Sequence, residues 1–482
     1  MVKNINETNF KYLAKNTLLF SISTFGSKIL TFLLVPLYTN VLTTSDYGRV
    51  DIMTTTVALL SIALTINIAS AVMRYSLEYT DIPEVILKYG IQVIIKGSLI
   101  MGIGTIIFYQ IEIIDLPFEY YFFMIGLFVV NAFEQLSQNY LRAIEKVELM
   151  VITGLFSTFI KLSCNVITLL VLKIGVIGYM ISMVIGPAVS CLIAFLCLYP
   201  IKNPNVDKIT KNNIHKEMRR YAIPTAVNSL GWWIANSVDR YFVTWMKGAS
   251  INGIYSVSYK IPTIMSMFCD IFIQAWGLSA IKEYDKDDKN DFFNLVYTSF
   301  NAGLVLICSI LIFTNTILAK VLFANEFYEA WKYSSILIIS MFFSGLSSFL
   351  GGIYGAAKHN DELAISTFIS AIVNIILDWL LIPNYGAYGA AIATAVSFYI
   401  IWILRFVLLK KYIDLSIKLL KCHVTYLLLV IQVVLEHFSN HNYLLQSSIL
   451  LIIVMLCYKD LYLFFYKIKK AILSKILKGD RN

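Results

Sequence analysis

Ile382-Pro-Asn-Tyr-Gly-Ala-Tyr-Gly-Ala-Ala-Ile-Ala-Thr-Ala395 lies between two long apolar stretches, and an earlier segment of the chain echoes it. Ser157-Thr-Phe-Ile160 returns as Ser366-Thr-Phe-Ile369, and Asn165 maps onto Asn374 at the same offset. Gly175-x-x-Gly178 returns as Gly386-x-x-Gly389. Upstream, Gly48 matches Gly253, and Glu78-Tyr79 matches Glu283-Tyr284. The chain therefore reads as two related halves. A polytopic membrane protein built from repeated halves is most often a transporter with its site between them.

Composition fixes the class. Of 482 residues, 58% are hydrophobic and 14% charged, and the mean hydropathy is +0.72. Apolar runs of about 20 residues recur, the length that crosses about 30 Å of hydrocarbon. The expected fold is an all-α integral membrane protein of fourteen spans, from 16–40 to 443–466. An outer-membrane barrel would show short alternating segments instead. The first apolar run is too long for a signal peptide and lacks a clear cleavage site, so it is expected to stay as the first span.

Charge orients the layout. Most of the 39 Lys and Arg fall on one side when the N-terminus is placed in the cytoplasm. Arg49, Lys173, Lys247, Lys320 and Lys332 fall on the other, and Lys28, Lys96, Lys161, Arg240 and Lys260 fall within spans. This asymmetry obeys the positive-inside rule and puts both termini in the cytoplasm. The net charge of +9 is thus a topology signal; basic residues spread over several loops give no nucleic-acid surface. The polar segment 201–216 reads as the linker between halves. The expected organisation is an N-terminal lobe over 1–210, a C-terminal lobe over 211–414, and two added spans with a basic tail over 415–482. The lobes are expected to be related by an axis along the membrane normal.

The seven Cys show no CxxC spacing and read as small apolar packing residues. The five His form no metal pattern. No metal and no cofactor is expected.

Ionisable groups within spans are costly and normally face a bundle interior or a wet cavity. Several fall at helical spacing with other polar residues. The stripes are Ser21, Thr24, Lys28 and Thr31; Asp51, Thr54, Ser61 and Thr65; Ser229, Trp232, Asn236 and Asp239, with Arg240 beside them; Lys260, Thr263, Asp270 and Gln274; and Thr367, Ser370, Asn374 and Asp378. Lys28, Arg240 and Lys260 are the expected substrate cations. Arg49, Arg74 and Asn236 are candidates beside them, although anchoring at a span end also explains Arg74. Many of the Ser and Thr hydroxyls are expected to bond their own helix backbone. Glu134 and Asp270 are deep carboxylates, suited to H⁺ or Na⁺ coupling or to pairing with Lys96 or Lys260. Asp239 and Asp378 join them as possible coupling groups. Pro36, Pro187, Pro224 and Pro262 lie in or beside spans, where proline kinks a helix.

Phe25-Gly-Ser-Lys28, Pro36-Leu-Tyr-Thr39 and Asp46-Tyr47-Gly48 resemble the start of bacterial polysaccharide-biosynthesis flippases. Val238-Asp239-Arg240-Tyr241, Gly253-Ile-Tyr-Ser256 with Tyr259-Lys260, and Ile382-Pro-x-Tyr-Gly-x-x-Gly-Ala-Ala391 continue the likeness. The chain resembles the Wzx-type O-antigen and capsule flippases of the multidrug/oligosaccharidyl-lipid/polysaccharide exporter superfamily along its whole length. Arg49 after the Tyr-Gly pair, and Asp378 where relatives often carry a neutral amide, depart from the pattern. The resemblance implies a MATE-like fold of two six-helix lobes. It also implies an undecaprenyl-pyrophosphate-linked oligosaccharide, moved from the inner to the outer leaflet of the bacterial inner membrane by alternating access. The bilayer, a coupling ion, and a polysaccharide polymerase with chain-length machinery are the implied partners. A drug or organic-cation exporter of the same superfamily is the main rival reading. A membrane O-antigen polymerase or ligase is disfavoured, because such enzymes usually carry a large outer loop and the outer loops here are short. No enzymatic activity is expected.

Overall fold

The computed structural model describes residues 26–111, 117–199, 206–285, 289–357, 359–415, 418–438 and 442–479, and every regular element among them is helical. Helix α1 covers 26–33 and α2 Val35–Val41. They are followed by α3 (Thr44–Thr65), α4 (Ile68–Glu78), α5 (Pro83–Ile111), α6 (Phe118–Ala143), α7 (Val147–Val166), α8 (Gly175–Leu198) and α9 (Lys208–Lys247). Then come α10 (Ala249–Ser258), α11 (Pro262–Glu283), α12 (Lys289–Leu322), α13 (Trp331–Ala357), α14 (Asn360–Tyr385), α15 (Ala387–Leu409), α16 (Leu419–Phe438) and α17 (Tyr443–Gly479).

Eleven of the described helices are long and apolar enough to cross a membrane. The expected count of fourteen is not reached at that criterion. The span at 16–40 begins outside the described residues, as do Ser21 and Thr24 of its stripe. The spans at 118–141 and 218–245 are helical, as α6 and α9, but polar residues such as Glu134, Gln138, Asn236 and Arg240 interrupt them.

Two further spans depart from the continuous helices expected at 48–73 and 250–280. The first is broken between α3 and α4, where Ile66 (φ 48°) and Asn67 (φ 52°) are both left-handed. Asparagine visits this region readily because its short amide can bond nearby groups. A β-branched residue there is strained by about 1–3 kcal/mol. The second break falls between α10 and α11, where Pro262 takes the first turn of a new helix instead of kinking a longer one. By contrast, Pro187 and Pro224 lie inside α8 and α9.

The chain forms two compact units, divided between Gly253 and Ile254. In the first, α9 packs against α3, α4 and α5, and α7 lies along α8. The core at one end of this unit joins Ile68 and Val72 of α4, Leu87 and Ile94 of α5, Leu136 of α6, and Met218 of α9. Asp207 caps α9, its carboxylate accepting from Thr210 N at 2.9 Å. In the second unit, α15 packs between α13 and α14, while α16 and α17 pack on α12. An aromatic stack of Phe272, Trp276, Phe300 and Phe349 joins α11, α12 and α13, and Trp276 Nε1 donates to Phe349 O at 2.9 Å. Large apolar side chains point outward, as Leu99, Ile103 and Ile106 do on one face of α5. That is the pattern of a lipid-facing surface.

Two of the matched glycines share a backbone feature. Gly175 (φ 58°) and Gly386 (φ 56°) both have positive φ, each at the start of the second helix of a packed pair. A second matched pair, Gly48 of α3 and Gly253 of α10, meets directly. A Cβ on Gly48 would lie 1.9 Å from Ala249 O, and one on Gly253 would lie 1.9 Å from Thr44 O. Thr44 Oγ1 and Ser250 Oγ bond across the same crossing at 2.7 Å. Such close approach needs small residues.

Candidate functional site

The first unit contains a polar cavity of about 650 Å³. Ser61 and Thr65 of α3, Asn67 and Ser70 beyond the break, Glu134 and Gln138 of α6, and Ser229 of α9 line it. The break builds part of this wall. Asn67 Nδ2 donates to Ser229 Oγ at 3.2 Å, and Ser70 Oγ donates to Asn67 Oδ1 at 3.2 Å. Irregular backbone at membrane depth is tolerated where it lines a cavity or is buried in protein. Glu134 has the hydroxyls of Ser157 and Ser190 beside it and the ammonium of Lys161 nearby. Gln138 reaches Thr153 Oγ1 at 3.0 Å and Ser190 Oγ at 3.4 Å. A carboxylate among hydroxyl and amide groups can hold a cation or bond sugar hydroxyls.

An apolar cavity of about 460 Å³ shares α3 with the polar one. Leu60, Leu64, Ile100, Phe108, Met124 and Trp233 line it. Thr56 and Tyr241 form a polar corner, their hydroxyls 2.6 Å apart.

Arg240 stands beside that corner. Its Nη1 donates to Asp51 Oδ1 at 3.0 Å and to Thr55 Oγ1 at 3.4 Å. Asn252 Nδ2 donates to Asp51 Oδ2 at 3.3 Å and to Gly48 O at 3.2 Å. Asp239 is buried, and its Oδ1 accepts from Arg240 N at 2.9 Å. The expected substrate cation is therefore held by a carboxylate that the sequence showed only as one member of a polar stripe.

The other expected residues spread out. Within the first unit, Lys28 is half-buried on α1, Arg49 is half-buried on α3, and Arg74 is exposed with its guanidinium 4.9 Å from the Tyr221 ring centre. Asn236 donates to Trp232 O of its own helix at 2.7 Å. In the second unit, Lys260 sits in the turn before α11, and Asp270 is half-buried on α11. All four members of the stripe Thr367, Ser370, Asn374 and Asp378 are buried. Thr31, Thr54 and Thr65 bond their own helix backbones, as expected, and Thr263 bonds Tyr259 O in the turn before α11.

Two buried ionisable residues had not been singled out. Arg405 of α15 is 1% exposed and donates to Ser366 Oγ, Thr367 Oγ1 and Ser347 O at 2.8–3.1 Å. It fastens α13, α14 and α15 together. Glu436 of α16 is 2% exposed. Both lie within about one turn of a span end, where a charge ordinarily reads as an interfacial anchor.

This fold is shared with membrane transporters. An inward-facing multidrug resistance MATE family transporter of the MOP superfamily superposes with a TM-score of 0.60 at 11% identity, covering 81% of this chain and 96% of its own. The lipid II flippase MurJ, in an inward closed conformation, gives 0.60 at 17% identity, covering 93% of this chain and all of its own.

Residues 13–277, more than half of the sequence, match the polysaccharide biosynthesis protein family, and the chain belongs to that family. It is similar to a probable low-salt glycan biosynthesis flippase, Agl15, of Haloferax volcanii, at 23% identity over 38% of this chain and 42% of the relative. It is also similar to the capsular polysaccharide biosynthesis protein CapF of Staphylococcus aureus, at 26% identity over 46% of this chain and 58% of the relative. The chain thus spans about half the length of these two curated relatives.

Proposed function

We propose that the protein is a flippase for lipid-linked oligosaccharides. It moves undecaprenyl-pyrophosphate-linked repeat units from the inner to the outer leaflet of a bacterial cytoplasmic membrane by alternating access, driven by an H⁺ or Na⁺ gradient. Both termini are cytoplasmic, and a polymerase with its chain-length machinery takes the product. The observation that carries this reading is the pair of cavities flanking α3, one lined by hydroxyl and amide groups and the other by hydrocarbon. An amphiphile with a sugar head and a polyprenyl tail matches both.

Lys28, Arg240 and Lys260 supply the positive charge for the pyrophosphate, with Arg49 and Arg74 at the approaches and Asn236 beside the sugars. The pairing of Arg240 with Asp51 gives this a mechanism. Phosphate oxygens are acceptors of the same kind as a carboxylate and take the guanidinium in its place. Asp51 keeps its bond from Asn252, and its other oxygen is released to accept from sugar hydroxyls. Glu134 is the leading coupling group, since it lines the polar cavity; Asp270, Asp239 and Asp378 are the others.

The test is complementation of surface polysaccharide in cells lacking the protein, using Lys28→Ala, Arg240→Ala and Lys260→Ala with membrane abundance checked by blot. Export falls about 10- to 100-fold if each charge contributes roughly 1.5–3 kcal/mol. Wild-type export by all three variants overturns the cationic mechanism. The acidic group on Arg240 favours one second reading, export of organic cations. It requires Asp51→Asn to raise drug susceptibility while polysaccharide export is unchanged.

A further inference from the structure

One face of α6 carries Asn131, Glu134, Gln135 and Gln138, at positions i, i+3, i+4 and i+7, and all four line the polar cavity. Two of them are committed to the wall. Gln138 Nε2 directs its hydrogens to Thr153 Oγ1 and Ser190 Oγ. Glu134 has the hydroxyls of Ser157 and Ser190 beside it. The other two are uncommitted. Gln135 is exposed and Asn131 half-buried, and neither side chain bonds another described residue. From α3, Ser61 Oγ is buried in the same wall with no hydrogen-bond partner among the described residues.

A carboxamide offers two donors and an acceptor at one point. That set matches the hydroxyls of a sugar. It also matches an acetamido group, which presents one N–H and one C=O. The charge of the wall narrows the choice. Among the described residues that line the cavity there is no Lys, Arg or His, and Glu134 is the one ionisable group. Lys161 stands near Glu134 but outside the lining. Arg240, assigned above to the pyrophosphate, is paired with Asp51 beside the apolar cavity. A carboxylate-bearing sugar entering the polar cavity would shed water without meeting a cation, and would face Glu134. Such desolvation is costly at membrane depth. The volume of about 650 Å³ is that of a pocket enclosing a small ligand, so it takes the sugars next to the lipid and not a polymer.

We propose that this cavity selects the headgroup by charge. It accepts uncharged sugars bearing hydroxyl and acetamido groups and rejects sugars bearing a carboxylate, with Asn131 and Gln135 as the specificity-determining pair. The inference rests on the flippase reading and narrows its substrate class.

The experiment measures binding of three lipids to the full-length protein in lipid nanodiscs, with no ion gradient. Each is undecaprenyl pyrophosphate carrying one sugar: N-acetylglucosamine, glucose or glucuronic acid. The first two should bind at least about tenfold more tightly than the third. Asn131→Leu combined with Gln135→Leu should weaken binding of the N-acetylglucosamine lipid by about 2- to 10-fold. Gln135→Lys places a cation in the wall and should remove most of the gap between the glucose and glucuronic acid lipids. If that variant does not accumulate, Asn131→Lys serves in its place. Equal binding of all three lipids by the wild type overturns the inference and leaves the flippase reading standing. So does a gap that the lysine variant leaves unchanged, or undiminished binding by the double leucine variant. If none of the three lipids binds, the flippase reading falls and this inference with it.

Discussion

Arg240 of α9 places its guanidinium 3.0 Å from the carboxylate of Asp51 on α3, with side chains 21% and 11% exposed. The pair joins two helices 189 residues apart in sequence. It holds the positive charge of the proposed substrate site in a neutralised state. Removing one member takes an ion-pair partner from the other's half-buried charge. Asp51→Asn is expected to lower both membrane abundance and export. The double variant Asp51→Asn with Arg240→Gln should restore abundance but not export. A quantitative blot beside a surface-polysaccharide assay separates the two effects; restored export in the double variant would make the pair purely structural.

The crossing of Gly48 and Gly253 leaves no room for a methyl group. Alanine at either position puts Cβ 1.9 Å from a backbone oxygen, so a helix must move. Overpacking of this kind costs about 1–3 kcal/mol. Gly48→Ala and Gly253→Ala should each lower the unfolding temperature in detergent, whereas Gly102→Ala, with open space around it, should not.

His215 near the start of α9 stacks on Tyr89 with ring centres 3.9 Å apart. Burial, then Arg219 and Lys211, push its pKa below the ordinary histidine value. The folded protein therefore resists a proton that the unfolded segment accepts near pH 6.5. The stabilising contact is fully present above that pH and is lost as pH falls through it toward the lowered folded value. Proteolysis at the basic residues around 208–220 should accelerate at pH 5.5 relative to 7.5. His215→Phe keeps the stack without the charge and should flatten the difference.

The break at Ile66 and Asn67 shapes the polar cavity. Asn67→Gly keeps the left-handed backbone and loses only the side-chain bonds to Ser229 and Ser70, so export should fall a few-fold with normal abundance. Asn67→Val adds the strain of a β-branched side chain and should also reduce abundance. Equal effects of the two would show that the amide alone matters.

The apolar spans and the repeat were legible because length, periodicity and the matched glycines all lie in local sequence. The breaks were not. Ile66 looks like any other apolar residue of a span, and its turn is imposed by the Asn67 amide and packing on α9. Pro262 was visible, but whether a proline kinks a helix or starts one depends on neighbours the sequence does not show. The polar stripe of α3 was visible too, whereas the partner of Asp51 lies far along the chain. Arg405 and Glu436 escaped because a charge near a span end normally snorkels to the interface, and only the packed helices around these two show that they are buried.

The most direct test of the central claim is leaflet transfer in proteoliposomes. The purified protein is reconstituted with an undecaprenyl-pyrophosphate-linked oligosaccharide, and a membrane-impermeant glycosidase added outside reads the amount exposed over time. The account predicts an ion-gradient-dependent rise in exposed sugar with the wild type. Arg240→Ala and Lys28→Ala should slow it by about 10- to 100-fold. Exposure no faster than in protein-free liposomes, with a gradient applied and the protein folded, would contradict it.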